Sequence, residues 1–512
     1  MPRAPAVAGI VALLVASGAL AAWGVAGGFP SAEGAPRVLE EVPATSNSLE
    51  RTLAQNSPTM AVDPTDNRFV ALAHRVDSPD FECKLQISGN GGRGWIGADP
   101  VPELPPEAEK CYAPEIAFDA GGRLYYLFLG LAGTGNTPTG VYLTTSDTRG
   151  RTFTEPRKLM GPRNYQVRMV IDPDWGDRGR IHLVWLQSAD DPPTGGFALT
   201  DNPIVSAYSD DGGRTFSEPV RVSDPERRLV VGPGAAVADD GALHVAYYDL
   251  QEDIRDYRGL AGPPWEGTWS LITTRSTDGG RRFEEGAVVT EEIVPNDRVI
   301  LIFTMPPPSI DLDDGGSVFV SWDDARNGDA DVFVARSADG GRSWSEPLRV
   351  NDDEVGSGAT QYLPRMTVAP DGRVDIIFFD RRRDDRDTLN DVFYAYSTDG
   401  GRRFSSNLRV TEKAGTSRNG QRYLIPSSRN RNDIGSRSAL VSLDDRALAA
   451  WTDTRNAALR SYQDIFATTL VFAPGENRAV FWVALALLGA GFIAAAAVAW
   501  TGRGNGGREA SR

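Results

Sequence analysis

The chain has 512 residues, 41% hydrophobic and 24% charged, the balance of a globular protein rather than of a disordered one. Asp and Glu (69) outnumber Lys and Arg (53) for a net charge of −16, which argues against the basic surface that a nucleic-acid partner requires. Two cysteines, Cys83 and Cys111, and three dispersed histidines, His74, His182 and His244, leave no set of ligands for a zinc centre.

The first element in chain order is apolar. Residues 4–28 follow Arg3 and contain Val11-Ala12-Leu13-Leu14-Val15, so residues 1–28 read as a signal peptide or an N-terminal membrane anchor. Residues 29–57 form an N-terminal segment in which Arg37-Val38-Leu39-Glu40-Glu41-Val42 is a candidate closing strand.

Residues 58–473 repeat one unit. Its marker is Ser, any residue, Asp, Gly, Gly, any residue, Ser/Thr/Arg, then Phe or Trp, at 88–95, 146–153, 209–216, 276–283, 337–344 and 397–404. Asn90 and Thr148 stand for the Asp in the first two copies. The Gly-Gly pair supplies positive-φ positions, the Asp accepts N–H groups inside the turn, and the aromatic residue anchors it. Successive copies lie 58, 63, 67, 61 and 60 residues apart, long enough for four short strands each. A short inner strand can be counted without the marker: Met60-Ala61-Val62, Ile116-Ala117-Phe118, Met169-Val170-Ile171, Ala235-Ala236-Val237, Ile310-Asp311-Leu312, Met366-Thr367-Val368 and Ala439-Leu440-Val441. That gives seven units, the last without a marker and completed by the N-terminal strand, which leaves no exposed edge. An all-β propeller of seven blades is therefore expected, with six as the alternative.

The marker resembles the Asp box of the sialidase-like, BNR-repeat β-propellers, and the resemblance covers nearly all of residues 58–473. It implies that the boxes are structural and lie on the face away from the active site. It also implies a glycoside substrate bearing a carboxylate, held by an arginine triad, with a Tyr–Glu nucleophile pair and an Asp acid/base. The Arg-Ile-Pro motif of that family is replaced here by Pro58-Thr59-Met60-Ala61-Val62, so no catalytic residue is carried over by motif.

Candidate site residues follow from position on the opposite rim. The mouth of the inner strand is Thr59, Glu115, Arg168, Gly234, Ser309, Arg365 and Ser438, with Arg437 one step before. These residues differ from blade to blade, as one asymmetric pocket requires. Arg168, Arg365 and Arg437 are expected to clamp a carboxylate, and Glu115 to act as a base or to polarise Tyr165, Tyr362 or Tyr423. Partnered rim charges are the competing reading. A second pattern, aromatic-x-Asp-x-Arg, ends the second strands and offers Asp324, Arg326, Asp380, Arg382, Asp453 and Arg455 either as binding groups or as loop braces, with Tyr247-Tyr248-Asp249 as a partial copy. No cofactor is expected; residues 323–331 are acidic enough for calcium, but the embedded Arg326 opposes it. Cys83 and Cys111 fall at one rim and are expected to form a disulfide in an oxidising compartment.

Residues 479–500 are 22 uncharged residues, enough to span a bilayer, and Arg503, Arg508 and Arg512 in the tail 501–512 mark its cytoplasmic side. The expected protein is a propeller held on the extracytoplasmic side of the cell membrane, acting on or recognising glycans. A non-catalytic propeller binding a surface protein or serving assembly is the alternative.

Overall fold

The computed structural model describes residues 35–45, 53–97, 102–176, 179–188, 202–253, 266–295, 306–420, 434–456 and 463–472. The expected signal or anchor segment, the apolar segment 479–500, the basic tail and Tyr423 lie outside the described residues. Among the described residues no helix is long and apolar enough to cross a membrane. The chain divides into two compact units, Met1–Arg37 with Val471–Arg512, and Val38–Leu470. The first lies almost wholly outside the described residues; the second is the propeller.

Among the described residues seven antiparallel sheets follow one another along the chain, so the expected seven blades, not the alternative six, are observed. The innermost strands are Gln55–Val62, Lys110–Phe118, Asn164–Asp172, Val230–Val237, Ser309–Leu312, Gln361–Val368 and Ala439–Leu443. Each second strand lies between the neighbouring blades and is covered on both faces. This explains its unbroken apolar run, as in Leu124–Ala132 (LYYLFLGLA) and Val374–Asp380 (VDIIFFD). The fourth strands of blades 1, 3, 5 and 6 shrink to two residues at the solvent edge, too short to recruit another chain.

The seventh sheet is closed by the N-terminal strand. Val42 and Pro43 pair with Ala467 and Phe466 in the strand Asp464–Val471, and the Leu39 N–H donates to the Thr469 carbonyl at 2.9 Å. Arg455 locks the closure: it pairs with Glu41 and with Asp453 (2.7 Å) and lies 4.2 Å above the Phe466 ring.

The Asp boxes are built as their residue types require. In the fifth, the Ser337 hydroxyl donates to Asp339 Oδ1 (2.7 Å) and accepts the Gly341 N–H (2.8 Å), while Asp339 accepts the Ser343 N–H and hydroxyl at 2.9 and 2.6 Å. The Trp344 Nε1–H reaches back to Thr273 Oγ1 in the preceding blade at 3.1 Å, so the box also fastens one blade to the next. An arginine occupies the sixth position of all six boxes, after a Gly-Gly pair in five and after Arg149-Gly150 in the second. In four of them, through Arg214, Arg281, Arg342 and Arg402, it caps the carbonyl of the box Asp.

Candidate functional site

The inner strands are irregular at equivalent places. Their register with the second strand slips between Asn56 and Thr59, Tyr112 and Glu115, Tyr165 and Arg168, Val231 and Gly234, and Tyr362 and Arg365. Each slip holds one residue in the left-handed region: Ser57 (φ 54°), Ala113 (49°), Gln166 (54°), Gly232 (68°) and Leu363 (55°). Gly435 (φ 87°) does the same ahead of Arg437. A β-bulge bends its strand and re-aims the side chains beside it. For a residue with a Cβ, that backbone costs on the order of 1–2 kcal/mol, sustained only by surrounding packing. Two residues beyond each bulge stands a residue at the mouth of the central channel.

There the structure brings Thr59, Glu115, Arg168, Gly234, Ser309, Arg365, Arg437 and Ser438 around one cavity of about 110 Å³. At roughly 10–15 Å³ per water probe sphere, this holds several waters or one end-group of a ligand. Gly234 marks its tight side, because a Cβ there would meet the Pro308 carbonyl of the next blade. Tyr248 and Asp323 complete the polar lining.

The charges are unequal in their partners. Glu115 Oε1 accepts from Arg168 Nη1 at 2.5 Å and also from Arg437 Nη1. Arg168 Nε donates to the Pro233 carbonyl at 3.1 Å, and Arg437 Nη2 to the Pro114 carbonyl. Burial by itself would raise the Glu115 pKa, but the guanidinium groups of Arg437 and Arg168 outweigh it and hold the carboxyl below its usual range. Arg365 is half-buried in the same cavity, and no hydrogen bond or ion pair engages its guanidinium among the described residues. The Tyr248 hydroxyl likewise has no hydrogen-bond partner among the described residues. Its pKa is pushed well above 10, first by burial and then by the negative charges of Asp323 and Asp324.

The other sequence candidates sit elsewhere. Tyr362 bonds to Asn390 (3.0 Å) and Arg381 (3.3 Å), and Tyr165 lines a separate gap of about 20 Å³ beside Tyr112, so neither reaches Glu115. The six aromatic-x-Asp-x-Arg candidates are loop braces rather than a ring facing a ligand. Arg326 closes on Asp324, Arg382 on Asp380 and Arg455 on Asp453, at 2.8, 2.7 and 2.7 Å. Trp322 and Trp451 donate to the same carboxylates, Asp324 and Asp453. None of the six lines the cavity. In the acidic stretch 323–331, Asp324 is held by Arg326, and Asp331 by Arg349, Asn351 and Asn327. Among the described residues no group of three or more His, Cys, Asp or Glu is placed to hold a metal ion. Cys83 and Cys111 form a disulfide, Cα atoms 5.4 Å apart, joining the third strand of blade 1 to the inner strand of blade 2.

The sequence reading missed Tyr248 as the cavity's tyrosine and missed the bulges. Tyr248 stood in the partial copy of the loop-brace pattern; Ser57, Gln166, Gly232 and Gly435, two places before their mouth residues, were a local trace of four of the irregularities, while Ala113 and Leu363 left none.

A model of the family described as "BNR repeat-containing family member" matches residues 235–458. The match joins the six Asp boxes and the seven sheets found among the described residues. The chain is a seven-bladed β-propeller similar to the BNR-repeat family over residues 235–458. No curated protein matches it significantly. Several solved structures are similar to this propeller at low identity. A Dyadobacter fermentans protein of unknown function is 13% identical over 85% of this chain and 99% of its own, with a TM-score of 0.46. A Hadza microbial sialidase is 16% identical over 80% and 75%, with a TM-score of 0.43. A Penicillium chrysogenum α-L-arabinanase is 14% identical over 72% and 96%, with a TM-score of 0.40. The architecture rests on the propeller's own strand pairing.

Proposed function

We propose that the propeller recognises acidic glycans, holding the carboxylate of a terminal sugar at the guanidinium groups of its central cavity. The observation that carries this reading is Arg365, a half-buried cation that makes no hydrogen bond or ion pair among the described residues and is offset only at longer range by Asp311 and Glu115, beside Arg168 and Arg437. A carboxylate supplies the paired acceptors that a planar guanidinium lacks there. Desolvated charges are retained at a cost, and a ligand that completes the pairing returns it.

Hydrolysis is the second reading, favoured by Tyr248 and Asp323 lining the same cavity. Against it, Glu115 is a weakened base between two arginines, and the acidic neighbours of Tyr248 oppose its ionisation. Recognition asks neither group to move a proton. The apolar segments 4–28 and 479–500 support a membrane-held propeller on the extracytoplasmic side, and this part of the reading rests on sequence. A surface protein is the alternative partner.

The test is titration calorimetry of the detergent-solubilised full chain with glucuronate and N-acetylneuraminate, their methyl esters, and glucose. Loss of one charge-assisted contact is worth about 1.5–3 kcal/mol, or roughly ten- to a hundredfold in affinity. That loss is expected for the esters and for Arg365→Ala. Equal binding of acid and ester would overturn the reading, as would a carboxylate-dependent signal that persists in Arg365→Ala. Release of a fluorogenic aglycone from sialosides would instead establish the hydrolytic reading.

A further inference from the structure

We infer that Glu115 selects among anions in the central cavity, admitting sugar carboxylates that carry a nearby hydroxyl and turning away sulfate and phosphate esters. This rests on reading the cavity as an acidic-sugar site.

The two oxygens of the Glu115 carboxylate are unequally engaged. Glu115 Oε1 takes both guanidinium contacts, from Arg168 and Arg437. Oε2 accepts no hydrogen bond among the described residues, yet it is not sealed as the Tyr126 hydroxyl is, and it keeps accessible surface. Glu115 and Arg365 line the same cavity, close enough for each charge to act on the other. The cavity therefore offers a ligand an unpaired donor fork at Arg365, an unpaired acceptor at Glu115 Oε2 and the unpaired hydroxyl of Tyr248.

Only some anions complement that set. A carboxylate lays two oxygens on Arg365, and a hydroxyl on the same sugar ring can donate to Glu115 Oε2. A sulfate or phosphate group brings a third anionic oxygen into a cavity of about 110 Å³. That oxygen carries no proton for Oε2 and meets it as a like charge. Polar groups built to accept a hydrogen bond reject ligands without the donor, because the buried acceptor is left unpaired. Arg168 and Arg437 cannot relieve the clash, since both are already turned to Oε1 and to backbone carbonyls.

Glucuronate, glucose 6-sulfate and glucose 6-phosphate would be titrated calorimetrically into the detergent-solubilised full chain at constant ionic strength. The variants are Glu115→Gln, which removes the charge, and Glu115→Asp, which keeps it. The wild type is expected to prefer glucuronate by about tenfold or more. Glu115→Gln should narrow that preference to within about threefold by gaining affinity for the esters, while Glu115→Asp retains it. A fourth ligand, cyclohexanecarboxylate, tests the hydroxyl on the wild type alone, whatever the variants do to folding, and should bind about tenfold more weakly than glucuronate. The inference is overturned if Glu115→Gln keeps the wild-type preference, or if the wild type binds the esters or the hydroxyl-free acid as well as glucuronate. If binding depends on Arg365 but not on Glu115, the acidic-sugar site stands and only its selectivity is lost. If no anion binds, both fall together.

Discussion

The Gln166 side chain accepts the backbone N–H of Gly232 at 2.8 Å, and the two residues have φ of 54° and 68°. The contact ties the bulge of blade 3 to the bulge of blade 4. At the seam of blades 7 and 1, Ser57 Oγ accepts the Ser436 N–H at 3.1 Å, next to Gly435. The side chains of the cavity are thus aimed by backbone irregularities that brace one another between blades. Gln166→Leu keeps the volume but strands the buried Gly232 N–H, at a cost of about 1–3 kcal/mol. The expected outcome is a lower calorimetric unfolding midpoint together with weaker acidic-sugar binding, because Arg168 follows that bulge by two residues. An unchanged midpoint would show that the brace carries no weight.

The two glycine–alanine exchanges at equivalent bulges should differ in sign. A Cβ on Gly435, already at φ 87°, would lie 2.8 Å from the Ser57 backbone N. Gly435→Ala is expected to destabilise by more than about 2 kcal/mol, since backbone strain and a backbone clash add. Ala113 holds φ 49° with a Cβ in place. Ala113→Gly relieves roughly 1–2 kcal/mol of strain against about 0.5–1 kcal/mol of added chain entropy, so it should be neutral to slightly stabilising. Thermal unfolding of the two variants side by side decides it.

Arginines that brace and an arginine that binds should respond differently. Arg455 neutralises Glu41 and Asp453, whose side chains are 3% and 2% exposed. Arg455→Met leaves two buried carboxylates uncompensated and is expected to cost about 3–5 kcal/mol. Arg365 makes no hydrogen bond or ion pair among the described residues and acts on Asp311 and Glu115 only at longer range, so Arg365→Met should lower the midpoint far less than Arg455→Met does, while abolishing ligand binding. A drop in midpoint for Arg365→Met as large as that for Arg455→Met would make Arg365 structural.

The histidines predict an acid-sensitive fold. Burial, reinforced by Arg180 for His182 and by Arg275 for His244, lowers both pKa values to about 4, and burial lowers that of His74 to about 3. The unfolded chain takes up these protons near pH 6.5 and the folded chain refuses them until about pH 4 or 3. Stability therefore falls as pH drops from 6.5 toward 4, by at most about 1.4 kcal/mol per pH unit for each group. The box carboxylates act later: Asp211, held near 2 by Thr215 and Ser209 against the opposing effect of burial, loses its contribution as pH falls from 3.8. His182 and His244 pack against the box glycines Gly280 and Gly341, and Phe319 does the same against Gly401. The double variant His182→Phe/His244→Phe is therefore expected to flatten the pH 6.5–4 slope of the unfolding midpoint without altering the decline below pH 4.

The sequence determined the architecture, because each determinant is local. A Ser-x-Asp-Gly-Gly turn encodes its own geometry in adjacent residues, and repetition multiplies that signal. Seven inner strands and the closing segment around Val42 could be counted the same way. It also located the mouth residues, since position within a repeated unit survives without knowing how the units pack. The tertiary structure decided which charges are free. Arg326, Arg382 and Arg455 look in sequence like Arg365, yet the first three have a carboxylate two residues away on the same loop to close upon. Glu115 finds Arg437 across 322 residues. Tyr248 replaced Tyr165 and Tyr362 because the ring of blades, not the neighbouring sequence, sets which hydroxyl meets the cavity. Pairing between side chains hundreds of residues apart depends on closing the ring, and no local pattern records it.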